Sequence, residues 1–282
     1  MRRTVYGWLI VLFLLSSCGV QSPATQAPTT VPVTPTAAAA PTTQVLSPTL
    51  AATVPPTSMP TPVPMTPTTQ ENQTTPVVAT KIMIPMEGDV QLAGTLYGQG
   101  TTAVVFAHQL NGSQAQWSTF AADVARGGFT AVTFDFRGHG ATGGERHLGE
   151  LDQDIKVVFT FLAGRGITKI VCVGASAGGT ACLKAAHEPN IVGLVIVSSP
   201  LSVQQPLSLR PDDFAGLMYP KLFVVSENDL DFSSGVEAMY KISPEPKQLK
   251  VFPGSAHGTD LLGPATHDEF EKLLIDFLNQ LR

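Results

Sequence analysis

The chain has 282 residues, with 17 Lys or Arg against 22 Asp or Glu and a formal net charge of −5. No basic stripe or cluster occurs along it, so a phosphate-backbone partner is excluded as a sequence-based expectation and no nucleic acid is expected. About 200 of the residues, from Lys81 onward, carry a mixed globular composition that suits one domain with a substantial core.

The amino terminus reads as targeting rather than fold. Arg2 and Arg3 precede an apolar run, Val5 to Leu15, that is too short and too abruptly ended for a stable membrane span. The run closes on Leu15-Ser16-Ser17-Cys18, which resembles a bacterial lipobox. Residues 1–17 are then a lipoprotein signal peptide, and Cys18 becomes the lipidated amino terminus, anchored to the membrane on its outer side. The plainer alternative is an ordinary signal peptide with a chance cysteine. Loss of Arg2 and Arg3 takes the formal charge from −5 to −7.

Between Gly19 and Thr80 lie 13 of the 23 prolines, many threonines and alanines, no Lys or Arg, and one acid, Glu71. Such a stretch cannot bury enough apolar surface to offset the entropy of ordering it, so residues 18–80 are expected to form a disordered spacer. Asn72-Gln73-Thr74 matches an N-glycosylation pattern, read here as chance.

Residues 81–282 alternate strand and helix signals. Lys81–Met86 and Val90–Leu96 predict a hairpin across Glu87-Gly88-Asp89, and Ala103–Ala107 a central strand. A helix is expected over Ala115–Ala125 and a strand over Thr130–Phe136. Leu151, Ile155, Val158, Phe159 and Leu162 fall on one helical face. Further strands are expected at Ile191–Val197, Lys221–Val225 and Gln248–Phe252. A terminal helix follows, with its stripe at Phe270, Leu273, Leu274, Phe277, Leu278 and Leu281. This order predicts an α/β three-layer sandwich with a mostly parallel sheet, whose chemistry lies beyond the carboxyl ends of the strands. Cys172 and Cys182 sit in apolar surroundings and read as buried free thiols, with a disulfide as the alternative.

One stretch organises the domain. Ile170, Val171 and Val173 form a short strand that runs into Gly174-Ala175-Ser176-Ala177-Gly178 and then into helix-forming Ala181 to Ala186. Strand, G-x-S-x-G and helix in that order make a nucleophile elbow, in which a strained turn lifts the serine hydroxyl above the sheet. The bland alternative is a Gly-rich turn with an idle serine. Two later strand ends supply the other parts: Asp229 in Ser226-Glu227-Asn228-Asp229, and His257 in Pro253-Gly254-Ser255-Ala256-His257. A serine hydroxyl needs a neutral imidazole to take its proton, and the imidazole needs a carboxylate to fix its tautomer. Asp231 is the reserve candidate for that carboxylate.

These motifs resemble the α/β-hydrolase superfamily, in its small esterase-like and dienelactone-hydrolase-like branches. Phe134-Asp135-Phe136-Arg137-Gly138-His139-Gly140 resembles the family's D-x-R-G-x-G strand end. His108-Gln109-Leu110 resembles the loop that usually begins His-Gly, with Gln109 a departure. The resemblance implies a catalytic Ser176, Asp229 and His257, with oxyanion donors at the N–H groups of Ala177 and Leu110. Dienelactone hydrolases use a cysteine where this chain has Ser176. His108 and His139 are expected to bond the loops framing the site, while His147, His187 and His267 lie at surfaces or helix ends. Arg137 is expected to brace its loop against a carboxylate, and Trp117 to pack. The short segment between Val197 and Lys221 leaves room for one short helix at Pro211–Met218 and no multi-helix lid. No metal-ligand cluster or dinucleotide fingerprint occurs, so no cofactor or metal is expected.

The expected function is therefore a membrane-tethered, extracytoplasmic serine hydrolase acting on small-molecule carboxylic esters. A peptidase, thioesterase or acyltransferase with the same residues, or a catalytically silent envelope-binding module, are the alternatives.

Overall fold

The structure, a computed structural model, describes residues 77–282. The expectations for the signal peptide, Cys18 and the spacer up to residue 76 lie outside the described residues.

Eight strands form the main sheet: β1 (Ala79–Pro85), β2 (Gln91–Tyr97), β3 (Thr102–Ala107), β4 (Thr130–Phe134), β5 (Lys169–Ala175), β6 (Ile191–Val197), β9 (Lys221–Ser226) and β10 (Lys247–Phe252). A two-stranded ribbon, β7 (Ser202–Gln204) with β8 (Leu207–Ser208), stands apart from it. The order across the sheet is β1-β2-β4-β3-β5-β6-β9-β10. All pairings from β4 to β10 are parallel, and β2 alone runs against its neighbours.

Period-two alternation sends successive side chains of the buried strands to opposite faces. Val105 and Cys172 join the layer under helices α2 (Leu151–Ala163), α3 (Ala177–Lys184) and α4 (Ser233–Ile242). Phe106, Val171 and Val173 join the layer under α1 (Ser118–Arg126) and α5 (His267–Asn279). Helix α5 packs because Phe270, Leu274, Phe277 and Leu278 recur at helical spacing on one buried face. Asp268 and Glu269 in its first turn complement the helix dipole. Each large apolar side chain fully buried in this way contributes about 1.5–3 kcal/mol.

The chain crosses to one face after β3 and to the other after β5. The carboxyl ends of β3 and β5 therefore open a crevice between diverging connections, where such sheets bind ligands.

Two expectations need correction. Cys172 and Cys182 form a disulfide rather than two free thiols. Cys172 faces the layer on which α3 lies, and Cys182 faces back from that helix, with Cα atoms 5.8 Å apart, inside the bridgeable range. The helix expected at Pro211–Met218 is only a 3-10 turn, Pro211–Asp213. Gly216 at φ +76° breaks continuation. Helix α4 and the β7–β8 ribbon, in turn, carried no strong sequence signal.

Candidate active site

Ser176 begins where β5 ends and α3 starts, with φ 50° and ψ −122°. A non-glycine residue held there carries strain of about 1–3 kcal/mol, so the surroundings must fix it. They do so by several bonds. The Ser176 N–H donates to Val197 O at 2.8 Å, and its carbonyl accepts from Gly179 N–H at 3.0 Å. A side chain on Gly174 would collide with Gly178, and one on Gly178 with the carbonyls of Ala107 and His108. The glycines of the motif are thus required by close backbone approach. The Cys172–Cys182 bridge spans the turn from strand to helix.

Asp229 and His257 come from the turns after the paired strands β9 and β10. The His257 Nδ1 lies 3.0 Å from Asp229 Oδ2 and 3.2 Å from Oδ1. An ionised carboxylate only accepts, so Nδ1 carries the proton and Nε2 presents its lone pair. The Phe232 ring packs on the imidazole with centroids 4.1 Å apart, and Ser226 Oγ donates to Ala256 O at 2.7 Å to pin the loop. Asp231, the reserve acid, is exposed to solvent, whereas Asp229 is buried.

Gly258, next to His257, would bring a Cβ within 3.4 Å of Ala175, next to Ser176, so the two loops meet. Ser176 Oγ and His257 Nε2 make no hydrogen bond among the described residues. Nucleophile–base bonds often tighten only when substrate is bound.

The Ala177 N–H, first in α3, has no intrahelical acceptor, as at every helix start. Neither it nor the Leu110 N–H donates to an acceptor among the described residues. The turn presenting Leu110 is tightly held. Gly112 N–H donates to Gln109 O at 2.9 Å, and His139 Nε2 lies 2.9 Å from Leu110 O. His108 is fully buried and accepts the Phe136 N–H on Nε2 at 3.1 Å, so its Nδ1–H donates to Gln109 O at 2.8 Å. Burial pushes its pKa down to about 4, leaving the ring neutral. His108 therefore frames the loop and holds no free nitrogen for proton transfer.

Around the D-x-R-G-x-G turn, the Asp135 carboxylate accepts from Gln114 N (2.7 Å), Gln114 Nε2 (2.9 Å) and Ala141 N (2.9 Å). Arg137 donates to Asp154 through Nε at 2.6 Å, and to Glu150 at 3.3 Å. Burial raises the Asp154 pKa while Arg137 opposes the rise. Arg137 is a brace, as expected. Trp117 is buried against Phe106 and Phe120, and its Nε1 donates to Ala107 O. His267 opens α5, His187 lies 3.2 Å from Asp213 O, and His147 is half exposed.

Sequence reasoning missed Phe232, Thr259 and Gln114. Their partners are set by loop conformation, and the only signal was proximity in the chain, of Phe232 to Asp229 and of Thr259 to His257.

Ser176 is thus strained at the carboxyl end of a central strand in a doubly covered parallel sheet, and the loop carrying the Asp229-backed His257 approaches the residue before it. The sequence matches the alpha/beta hydrolase fold family over residues 102–257, more than half of the chain, and the protein belongs to that family. Among solved structures it is similar to an esterase of Pyrococcus furiosus, at 17% identity and a TM-score of 0.60 over 73% of this chain and 93% of that one. It is likewise similar to a dienelactone hydrolase of Anabaena variabilis, at 21% identity and a TM-score of 0.61 over 74% and 100%. A monoacylglycerol lipase of Paleococcus ferrophilus shares 17% identity with a TM-score of 0.59 over 68% and 99%. No curated protein sequence matches the chain.

Proposed function

We propose that the protein is a serine hydrolase that cleaves carboxylic esters through an acyl-enzyme. The observation that carries this reading is the Asp229–His257 pair, which leaves Nε2 as a proton acceptor on a loop that approaches Ala175, the residue before Ser176. Family membership and the esterase and lipase neighbours support it.

In the proposed mechanism Ser176 Oγ attacks the acyl carbon while its proton passes to His257 Nε2. The developing oxyanion takes hydrogen bonds from the N–H groups of Ala177 and Leu110, each worth about 3 kcal/mol in the transition state. Collapse breaks the bond to the alkoxy group, which leaves as the alcohol with the proton from His257. Water then attacks the acyl-serine, giving its proton to His257, and the carboxylic acid departs as Ser176 recovers its proton. Asp229 stabilises the imidazolium in both halves.

The reading extends to a membrane-tethered, extracytoplasmic enzyme anchored through Cys18. The Cys172–Cys182 disulfide supports it, because such bonds persist in oxidising compartments outside the cytosol. Mass spectrometry of the amino-terminal peptide tests the anchor: an acylated Cys18 is expected, and an unmodified cysteine contradicts it.

A panel of short p-nitrophenyl esters set against peptide amides tests the substrate class. Turnover of the esters and not the amides is expected. Cleavage of the amides alone would replace the esterase by a peptidase.

A further inference from the structure

Gln109 stands where the His-Gly pattern has glycine, one residue before the Leu110 donor. Its side-chain Oε1 accepts from the Thr259 N–H at 3.2 Å and from Thr259 Oγ at 3.3 Å, across 150 positions of sequence. Only the oxygen end of the amide can face an N–H, so the orientation of the group is chemically forced. Thr259 is buried, and it lies two residues after His257. Between them Gly258 adopts φ +57°, and any side chain there would collide with Gln109 Oε1. A glycine at 258 is what admits the glutamine. The main chain of Gln109 works in the other direction: its carbonyl accepts from His108 Nδ1 and from Gly112 N–H, the two bonds that shape the Leu110 turn.

We propose that Gln109 is a positioning residue that locks the His257 loop to the Leu110 turn, so that proton acceptor and oxyanion donor are held as one unit. The proposal rests on the hydrolase reading above. In the tetrahedral intermediate the imidazole and the oxyanion donors hydrogen-bond different oxygens attached to the same carbon. Their mutual geometry is therefore critical, and a misplacement of about 1 Å costs on the order of 100-fold in rate. A glycine at position 109 would remove both side-chain hydrogen bonds that tie Thr259 to this turn.

The test compares Gln109→Ala and Gln109→Glu with wild type as full-length chains. Gln109→Ala is expected to lower kcat on an ester by about 10- to 100-fold, with KM within a few-fold and the thermal midpoint little changed. Hydrogen exchange at the Thr259 amide is expected to speed up in the same variant. Gln109→Glu retains an acceptor oxygen, so it should restore slow exchange and much of kcat. A Gln109→Ala enzyme with wild-type kcat, unchanged Thr259 exchange, or a Gln109→Glu variant no better than alanine would overturn the proposal. If wild type turns over no ester, the hydrolase reading fails, and Thr259 exchange alone then decides whether Gln109 joins the loops: faster exchange supports the link, unchanged exchange removes it.

Discussion

Asp229 straddles a single ring nitrogen of His257, with both carboxylate oxygens within 3.2 Å of Nδ1. This contact bridges two neighbouring parallel strands and dictates which tautomer the ring adopts. Asp229→Asn would offer an amide donor to the same nitrogen and force the proton onto Nε2. The expected result is a loss of kcat on the order of 1,000- to 10,000-fold with a small change in KM. Asp231→Asn, on an exposed side chain, should stay within about twofold of wild type, since surface substitutions seldom perturb more than that. Steady-state kinetics on one ester distinguishes the two positions.

Stability should depend on pH through His108. Burial is the main reason its pKa falls from 6.5 to about 4, with the neighbouring His139 and Arg146 acting in the same direction and the Gln109 carbonyl and Asp135 opposing. Between these two values the unfolded chain binds a proton that the folded chain refuses. The contribution is therefore complete above pH 6.5 and is lost as pH falls toward 4, by about 3 kcal/mol in all. Urea unfolding of wild type and His108→Asn at pH 7 and pH 4.5 checks this. The stability gap between the two proteins should narrow at the lower pH.

Arg137 compensates a carboxylate that has no exposure at all. Its partner Asp154 is fully buried, and the guanidinium is largely so. Arg137→Ala should cost about 3–5 kcal/mol, because it leaves a buried charge unpaired. Adding Asp154→Asn to that variant should recover part of the loss. Denaturant midpoints of the single and double variants measure both effects, and simple additivity would contradict the pairing.

The Cys172–Cys182 bridge closes a short loop around the elbow, with a sequence separation of 10. Replacing both cysteines by alanine should lower stability by about 3 kcal/mol, mainly through a freer unfolded chain. Alkylation of the denatured, unreduced protein followed by peptide mapping checks the bond. Residues 172 and 182 should remain unalkylated, and their labelling would restore the free-thiol reading.

Much of this arrangement was legible in the sequence because it depends on period and order. The β6 strand runs over Ile191–Val197 as its apolar run predicts, and the stripe from Phe270 to Leu278 faces inward as helical spacing requires. The Asp229–His257 contact follows from two residues sitting just past adjacent parallel strands. What escaped depends on loops and facing directions. Apolar surroundings suggested free thiols at Cys172 and Cys182, yet only the packing of α3 on β5 sets their sulfurs together. The Gln109–Thr259 link joins residues 150 positions apart, and no local pattern encodes it. Gly216 overrode the expected helix after Pro211 through one backbone angle.

The central claim is that Ser176 is the nucleophile. A fluorophosphonate probe phosphonylates an activated serine and reports it without any choice of substrate. Wild type should label stoichiometrically, Ser176→Ala should not label, and His257→Ala should label far more slowly. Equal labelling of wild type and Ser176→Ala would contradict the account.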